Sequence, residues 1–448
     1  MNTDRSGRIS RRGFLKRAVA AGGVPLILPR LSLAQSANGK LQHACIGVGG
    51  MGNSDLNSFL ATGKVDIVAI CDIDENNLNA AATLLPQARK YRDWREMLEK
   101  EETNIDSVNV TTPDHMHAPI AMSAIKKGKH VYCQKPLTHE IYEARMLQQA
   151  AREAGVVTQM GIQIHANIAY RMGARMLQDG AIGKIKEWHS WTSAPSWPQG
   201  MERPEGEDPV PPYVDWDLWL GTAPHRPYKA DTYHPFKWRG WQDFGGGAVG
   251  DFACHIFDPV FMGIQPGRVL SIQAEVPAIG SESWPEWEII HYEFGGSAMT
   301  ADKTVMATWY DAGKQPPREI APMPPEHNLP GSGSAIIGEE GVMVLPHWAG
   351  PMLYPLERFQ GIDRPDLVPN IDHYGQWVDA CLGVGEATAN FDYAAPLAEA
   401  ALLGNVANRF AGQKLEWDAQ AMKVTNVPEA NALLRREYRD GWAVEGLG

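Results

Sequence analysis

The chain has 448 residues, 44% of them apolar, enough for two domains of ordinary size with filled cores. Its formal charge is −12, and the first 34 residues hold seven cations (Arg5, Arg8, Arg11, Arg12, Lys16, Arg17 and Arg30) against Asp4, so the remainder carries −18. An acidic body excludes nucleic acid and anionic membrane as natural partners and suits a neutral small molecule.

At the amino terminus, Ser10-Arg11-Arg12-Gly13-Phe14-Leu15-Lys16 precedes an uncharged run from Ala18 to Leu28 and small residues around Ser32-Leu33-Ala34. A basic stretch, a short apolar core and small residues read as a signal peptide. The paired arginines narrow it to twin-arginine export, with residues 1–40 as leader and linker. An amphipathic helix or a membrane anchor is the competing reading, but the run covers only about half of the roughly 20 residues needed to span a bilayer. The expectation is therefore a folded protein delivered by the twin-arginine (Tat) machinery to the periplasm or another extracytoplasmic space, with cleavage of the leader left open. Five cysteines without a CxxC pair read as small core residues rather than a disulfide framework.

From Leu41 apolar strand-like runs alternate with helical stretches. Strands are expected over 43–48, 65–71, 105–110, 130–133 and 156–160, with helices over 54–61, 75–85, 94–101, 119–127 and 141–154. This βαβ alternation predicts a doubly wound parallel sheet of the Rossmann type over residues 41–162. The first strand ends in Gly47-Val48-Gly49-Gly50-Met51-Gly52, a GxGxxG turn leading into a helix, and Asp72 ends the second strand. Glycines there allow a tight turn and close backbone approach to a pyrophosphate, and the acid can bond ribose hydroxyls. Asp72, Asp74 and Glu75 would oppose a 2′-phosphate at a cost of about several kcal/mol, so NAD is expected over NADP.

Thr111-Thr112-Pro113-Asp114-His115-Met116-His117 follows the next strand, at the crevice end of such a sheet. Thr112, Pro113 and His117 are expected to face the cofactor, with Asp114 available as a helix cap. Lys135, after Tyr132-Cys133-Gln134, points into the same crevice near the nicotinamide. Past Gly161 the alternation stops, strands reappear over 185–193 and 299–310, and an aromatic, proline-rich loop spans 195–241. Gly245-Gly246-Gly247 then leads to Asp251 and His255, four residues apart and on one helix face, the arrangement for an imidazole held and kept basic by a carboxylate.

These ordered motifs resemble the glucose-fructose oxidoreductase and inositol dehydrogenase (Gfo/Idh/MocA) family. The resemblance implies a nicotinamide-binding domain followed, over residues 163–448, by an α/β domain on an open, mainly antiparallel sheet that commonly pairs subunits, so a homo-oligomer is expected. It implies catalytic roles for Lys135, Asp251 and His255, with His255 as general base, and substrate contacts from Gln163, His165, Trp238 and Arg239. The family's usual Glu-Lys-Pro is here Gln134-Lys135-Pro136, which removes an anion beside the lysine.

Three functions follow. One is dehydrogenation of a sugar or cyclitol hydroxyl. Another is a redox-neutral reaction on a sugar or glycoside around tightly held NAD, including glycoside cleavage through transient ring oxidation. The third is non-catalytic sugar binding or redox sensing. Asp251, His255 and His165 could also be read as metal ligands, but two of them already have a role, so no metal is expected.

Overall fold

The computed structural model describes residues 39–278, 280, 282–361 and 370–447; the expected twin-arginine segment lies outside the described residues. The first sheet is built from β1 (Leu41–Ile46), α1 (Met51–Ala61), β2 (Val65–Cys71), α2 (Glu75–Leu84), β3 (Arg89–Tyr91), α3 (Trp94–Lys100), β4 (Ser107–Val110), α4 (His117–Lys126), β5 (His130–Gln134), α5 (Ile141–Ala154) and β6 (Thr158–Gly161). All six strands are parallel, in the order β3-β2-β1-β4-β5-β6. Strand order reverses between β1 and β4, which opens the ligand crevice of a doubly wound sheet between the loops that follow those two strands.

Local chemistry sets the helix starts. Asp74 and Asp93 accept backbone amides at the beginnings of α2 and α3, and Glu140 with Glu143 forms a reciprocal capping box on α5. β3 escaped the sequence reading because it is three residues long and begins with two cations, Arg89 and Lys90.

The second sheet is reached through α6 (Ile168–Gln178). It comprises β7 (Ile185–Trp191), β8 (Val269–Glu275), β9 (Ile289–Gly295), β10 (Thr304–Tyr310), β11 (Gly333–Gly338), β12 (Val342–Pro346), β13 (Met352–Tyr354), β14 (Leu415–Asp418) and β15 (Lys423–Val424). Its order is β13-β12-β11-β7-β10-β9-β8-β14-β15; β7 and β10 pair in parallel and the remaining neighbours run antiparallel. α7 (Trp216–Leu220) lies in the long aromatic loop, and α8 (Gly247–Ile264) and α10 (Phe391–Asn408) pack into the core with this sheet.

α9 (His373–Cys381) returns to the first sheet, where Tyr374 and Trp377 join the cluster around Phe59 and Tyr132. α8 is apolar around most of its circumference and is buried accordingly; Phe252, His255 and Met262 are its only partly exposed residues. All five cysteines are buried and free. Among the described residues no helix is long and apolar enough to cross a membrane.

Most tryptophans of the long loop pack against one another and neighbouring aromatics. Trp216, Trp219, Trp238 and Trp241 are buried with Tyr228, Tyr233 and Phe244 in a cluster of their own. Trp188 and Trp191, on β7 before that loop, are fully buried in two different apolar clusters.

Candidate active site

Steric limits make the glycine turn after β1 specific. Gly47 has φ +80°, and a Cβ there would sit 2.2 Å from the Thr111 carbonyl oxygen. A Cβ on Gly52 would meet the Gly47 carbonyl oxygen at 2.1 Å, and one on Gly49 would strike the Asn77 side chain. Gly50 starts α1 with φ 49°, no side chain caps the amides of that helix end, and Met51 is exposed beside it. A crowded, side-chain-free turn opening onto uncapped amides fits a dinucleotide pyrophosphate. The residues that would hold it are Gly47, Gly49, Gly50, Met51 and Gly52, with Thr112 and Pro113 across the crevice.

Asp72 stands at the end of β2, as expected for a ribose ligand. Its Oδ2 accepts from the Val48 amide at 2.9 Å and its Oδ1 from the Asp74 amide at 2.9 Å. Burial raises its pKa, and those two amides, with Asn77, pull it back. The acid therefore also braces the glycine turn it serves.

Lys135 and Asp251 meet at the mouth of the second domain. Lys135 Nζ lies 2.8 Å from Asp251 Oδ1 and 3.3 Å from the Asp251 carbonyl oxygen, and Arg239 Nε lies 3.4 Å from the same Oδ1. Burial opposes the Asp251 charge, but Lys135 and Arg239 outweigh it and hold the carboxyl below its usual range. Arg239 is aimed by the faces of Trp238 and Phe236, 4.3 and 4.6 Å from its guanidinium carbon.

Asp114 is a buried neighbour of this group. Its Oδ2 accepts from the Gly246 amide at 3.0 Å, pinning the glycine run before α8 to the first domain. Burial, then the nearby Asp251 charge, raises its pKa to about 7.

His255 shares the outer face of α8 with Phe252, yet the expected bond from Asp251 to its imidazole is absent; Lys135 and Arg239 lie against Asp251 Oδ1 instead. The His255 Nδ1 is buried without a partner. Nor is the ring kept basic: burial, then Lys135, lowers its pKa well below the ordinary value, so the imidazole is neutral near pH 7. His347, from the turn after β12, lies 5.9 Å from His255 ring to ring, and Tyr170 OH bonds His347 Nδ1 at 2.7 Å.

Other expected contacts take different places. His117 does not face the cofactor: it is 1% exposed, with Nδ1 2.8 Å from the Pro136 carbonyl oxygen and Nε2 2.9 Å from that of Thr112. Its ring lies between the Thr112 turn and the Lys135 turn and, while neutral, donates to one of the two carbonyls. Burial lowers its pKa to about 4, although the two carbonyl partners favour protonation.

His165 is also drawn away, because Asp258, further along α8, takes its Nδ1 at 2.8 Å while Tyr393 OH reaches the same oxygen at 2.6 Å. It lines a separate cavity of about 1110 Å³ with residues of α6, α8 and α10, and Lys135, Asp251 and His255 are not among that cavity's walls. Trp238 is 6% exposed and supports Arg239 instead of facing open space. Gln163 is partly exposed and donates to Tyr374 OH at 3.1 Å and Tyr132 OH at 3.3 Å.

Sequence reasoning missed Asp114 as a member of the charged cluster, although its motif was singled out. It also missed His347 and Tyr170, for which no local signal exists. Among the described residues no group of three or more His, Cys, Asp or Glu side chains is placed to hold a metal ion.

Comparison with known proteins agrees with this fold. Residues 41–162 match the Gfo/Idh/MocA model described as an oxidoreductase family NAD-binding Rossmann fold, and residues 189–303 match that family's carboxy-terminal alpha/beta domain. The levoglucosan dehydrogenase of Pseudarthrobacter phenanthrenivorans is 27% identical over 168 residues, 37% of this chain and 34% of that protein. A glycosyl hydrolase family 109 protein of Saccharopolyspora erythraea is 29% identical over 212 residues, 40% of this chain and 45% of that protein. The chain thus aligns with less than half the length of these curated relatives. The WlbA dehydrogenase of Bordetella pertussis, solved with NADH and UDP-GlcNAcA, shares the fold at a TM-score of 0.60 and 17% identity, over 85% of this chain and 99% of that one. The chain belongs to the Gfo/Idh/MocA family of NAD-binding oxidoreductases.

Proposed function

We propose that the protein is an NAD-dependent oxidoreductase acting on a secondary hydroxyl of a sugar, cyclitol or glycoside. The observation that carries this reading is the Lys135–Asp251 ion pair at 2.8 Å, near the neutral, partly exposed imidazole of His255. When bound, NAD supplies the hydride acceptor. His255 accepts the hydroxyl proton, and Lys135, fixed by Asp251, donates to the hydroxyl oxygen and stabilises negative charge as it develops. Asp251 is held ionised by two cations, so it orients Lys135 and does not compete for the proton. Asp72, with Asp74 and Glu75 beyond it, favours NAD over NADP.

The arginine pair at residues 11–12 adds a constraint. An exported enzyme meets no cytoplasmic pool that renews its cofactor, so NAD stays bound and the hydride returns within each cycle. Retention for many minutes at an association rate of about 10⁶ M⁻¹s⁻¹ corresponds to a nanomolar or lower dissociation constant, about −12 kcal/mol. The likeness to a family 109 glycosyl hydrolase favours one redox-neutral route, in which a ring carbon is oxidised, its acidified neighbour loses a proton as the glycosidic oxygen leaves as an alcohol, water adds in its place, and the ketone takes the hydride back.

The test is to purify the protein from the cell envelope, denature it and assay released NAD. The purified protein is then offered glycosides and free sugars with and without added NAD. Bound NAD and product release without added cofactor are expected. An empty protein that produces NADH steadily only with external NAD would replace the redox-neutral reading with ordinary dehydrogenation.

A further inference from the structure

The departure at position 134 has a partner elsewhere in the chain. Gln134 Nε2 donates to both carboxylate oxygens of Asp55, at 3.0 and 2.9 Å, while its Oε1 faces the backbone amide of Lys135 at 3.4 Å. Asp55 is fully buried on α1, one turn past the glycine loop. Its remaining lone pairs are taken by Tyr374 OH on Oδ1 and Thr111 Oγ1 on Oδ2, both at 2.7 Å. Four segments therefore converge on one carboxylate: the cofactor helix, the end of β4, the residue before Lys135, and α9. Tyr374 also bonds Gln163 on the substrate side. A glutamate at position 134 would keep the acceptor toward Lys135 but set a second carboxylate about 3 Å from Asp55 in a buried place, where two such groups cannot both ionise.

We propose that Asp55 is a positioning residue for Lys135, acting through Gln134, and that it supplies from α1 the buried anion nearest the backbone of that lysine turn. The pair is matched: the charge at 55 requires a neutral donor at 134. Because α1 also carries the cofactor turn, occupancy of that turn and the orientation of Lys135 are linked through Asp55. The inference rests on Lys135 facing the reacting hydroxyl, as proposed above, but its test reads cofactor binding and lysine reactivity, so it can fail while that reading stands.

The full chain is compared with Gln134→Glu, Asp55→Asn and the double variant. NAD dissociation constants are measured by protein fluorescence between about pH 5 and pH 9, and Lys135 acetylation by acetic anhydride is followed by mass spectrometry with and without NAD. The titratable groups that face Asp55 are Tyr374, Tyr132 and Cys45, all pushed upward by burial, so wild-type binding draws no titration near neutrality from them.

Gln134→Glu is expected to add a titration step to NAD binding, from two carboxylates sharing a proton, and to weaken NAD at least about tenfold above that step. The double variant, in which the amide introduced at position 55 would donate to the new carboxylate, loses the step and returns to within about threefold of wild type. Asp55→Asn alone is expected to change the Lys135 acetylation rate by about threefold or more and to weaken its response to NAD, with the melting temperature within a few degrees. If Gln134→Glu fails to fold, this last comparison decides. Wild-type pH dependence in Gln134→Glu, purely additive losses in the double variant, or unchanged Lys135 acetylation in Asp55→Asn would each overturn the proposal.

Discussion

Lys135 Nζ and Asp251 Oδ1 lie 2.8 Å apart, with side chains only 15% and 7% exposed, and each comes from a different domain. The contact is a direct link between the cofactor domain and α8. Removing the lysine leaves a buried carboxylate with Arg239 at 3.4 Å as its remaining cation. Lys135→Met is therefore expected to destabilise by less than the roughly 3–5 kcal/mol that an uncompensated buried charge costs. Turnover should fall by about 10²–10⁴. Thermal melts and single-turnover rates on one preparation check both; turnover within a factor of a few of wild type would remove Lys135 from the chemistry.

His255→Ala should abolish turnover while NAD binding stays within about threefold, since the imidazole lies on α8 and not in the glycine turn. Because the His255 pKa is already depressed, the ring is in its accepting form throughout the neutral range. The acid limb of the rate profile should accordingly fall well below pH 6.5, the ordinary value for a histidine. A limb centred at 6.5 would point to an exposed histidine as the base.

Folding stability should respond to pH in two opposed windows. His43 and His373 have pKa values lowered to about 3, and His117 to about 4, each chiefly by burial. The unfolded chain binds their protons first, so stability falls as pH drops from about 6.5 toward 3, at about 1.4 kcal/mol per unit for each group. Asp114, raised to about 7, works the other way: the unfolded form ionises from about 3.8 upward, so its contribution is lost as pH rises through 7. Asp114→Asn, which keeps an acceptor for the Gly246 amide, should raise the melting temperature at pH 8 and leave it nearly unchanged at pH 4. Equal shifts at both values would show that Asp114 ionises normally.

Asp72→Ser should narrow the preference for NAD over NADP by removing the charge that meets a 2′-phosphate. It should also weaken NAD, because the Val48 and Asp74 amides lose their acceptor. Paired dissociation constants for the two cofactors measure the ratio; an unchanged ratio would shift the discrimination to Asp74 or Glu75.

The parts of this arrangement that local chemistry dictates were legible in the sequence. Glycines at 47 and 52 have backbone reasons that no other residue meets, Gly49 is crowded by the Asn77 side chain, and Asp72, Lys135 and Asp251 sit at strand ends or on a helix face where spacing alone aims them. Side chains whose partners are remote were not legible. His117 looked free at the start of α4, but carbonyls from two turns face it. His165 follows the sixth strand as a substrate ligand should, yet Asp258, 93 residues away, takes it. Asp251 and His255 share a helix face without bonding, while Lys135 and Arg239 gather on Asp251 Oδ1. The role of Gln134 became readable only once α1 placed Asp55 against it.

The most direct measurement is a single-turnover experiment following nicotinamide absorbance when the NAD-loaded protein meets a panel of sugars, cyclitols and glycosides, with His255→Ala in parallel. The account predicts that the wild-type protein forms reduced nicotinamide, transiently if the reaction is redox-neutral, and that the variant binds NAD yet forms none. Reduction at the wild-type rate in His255→Ala would contradict it.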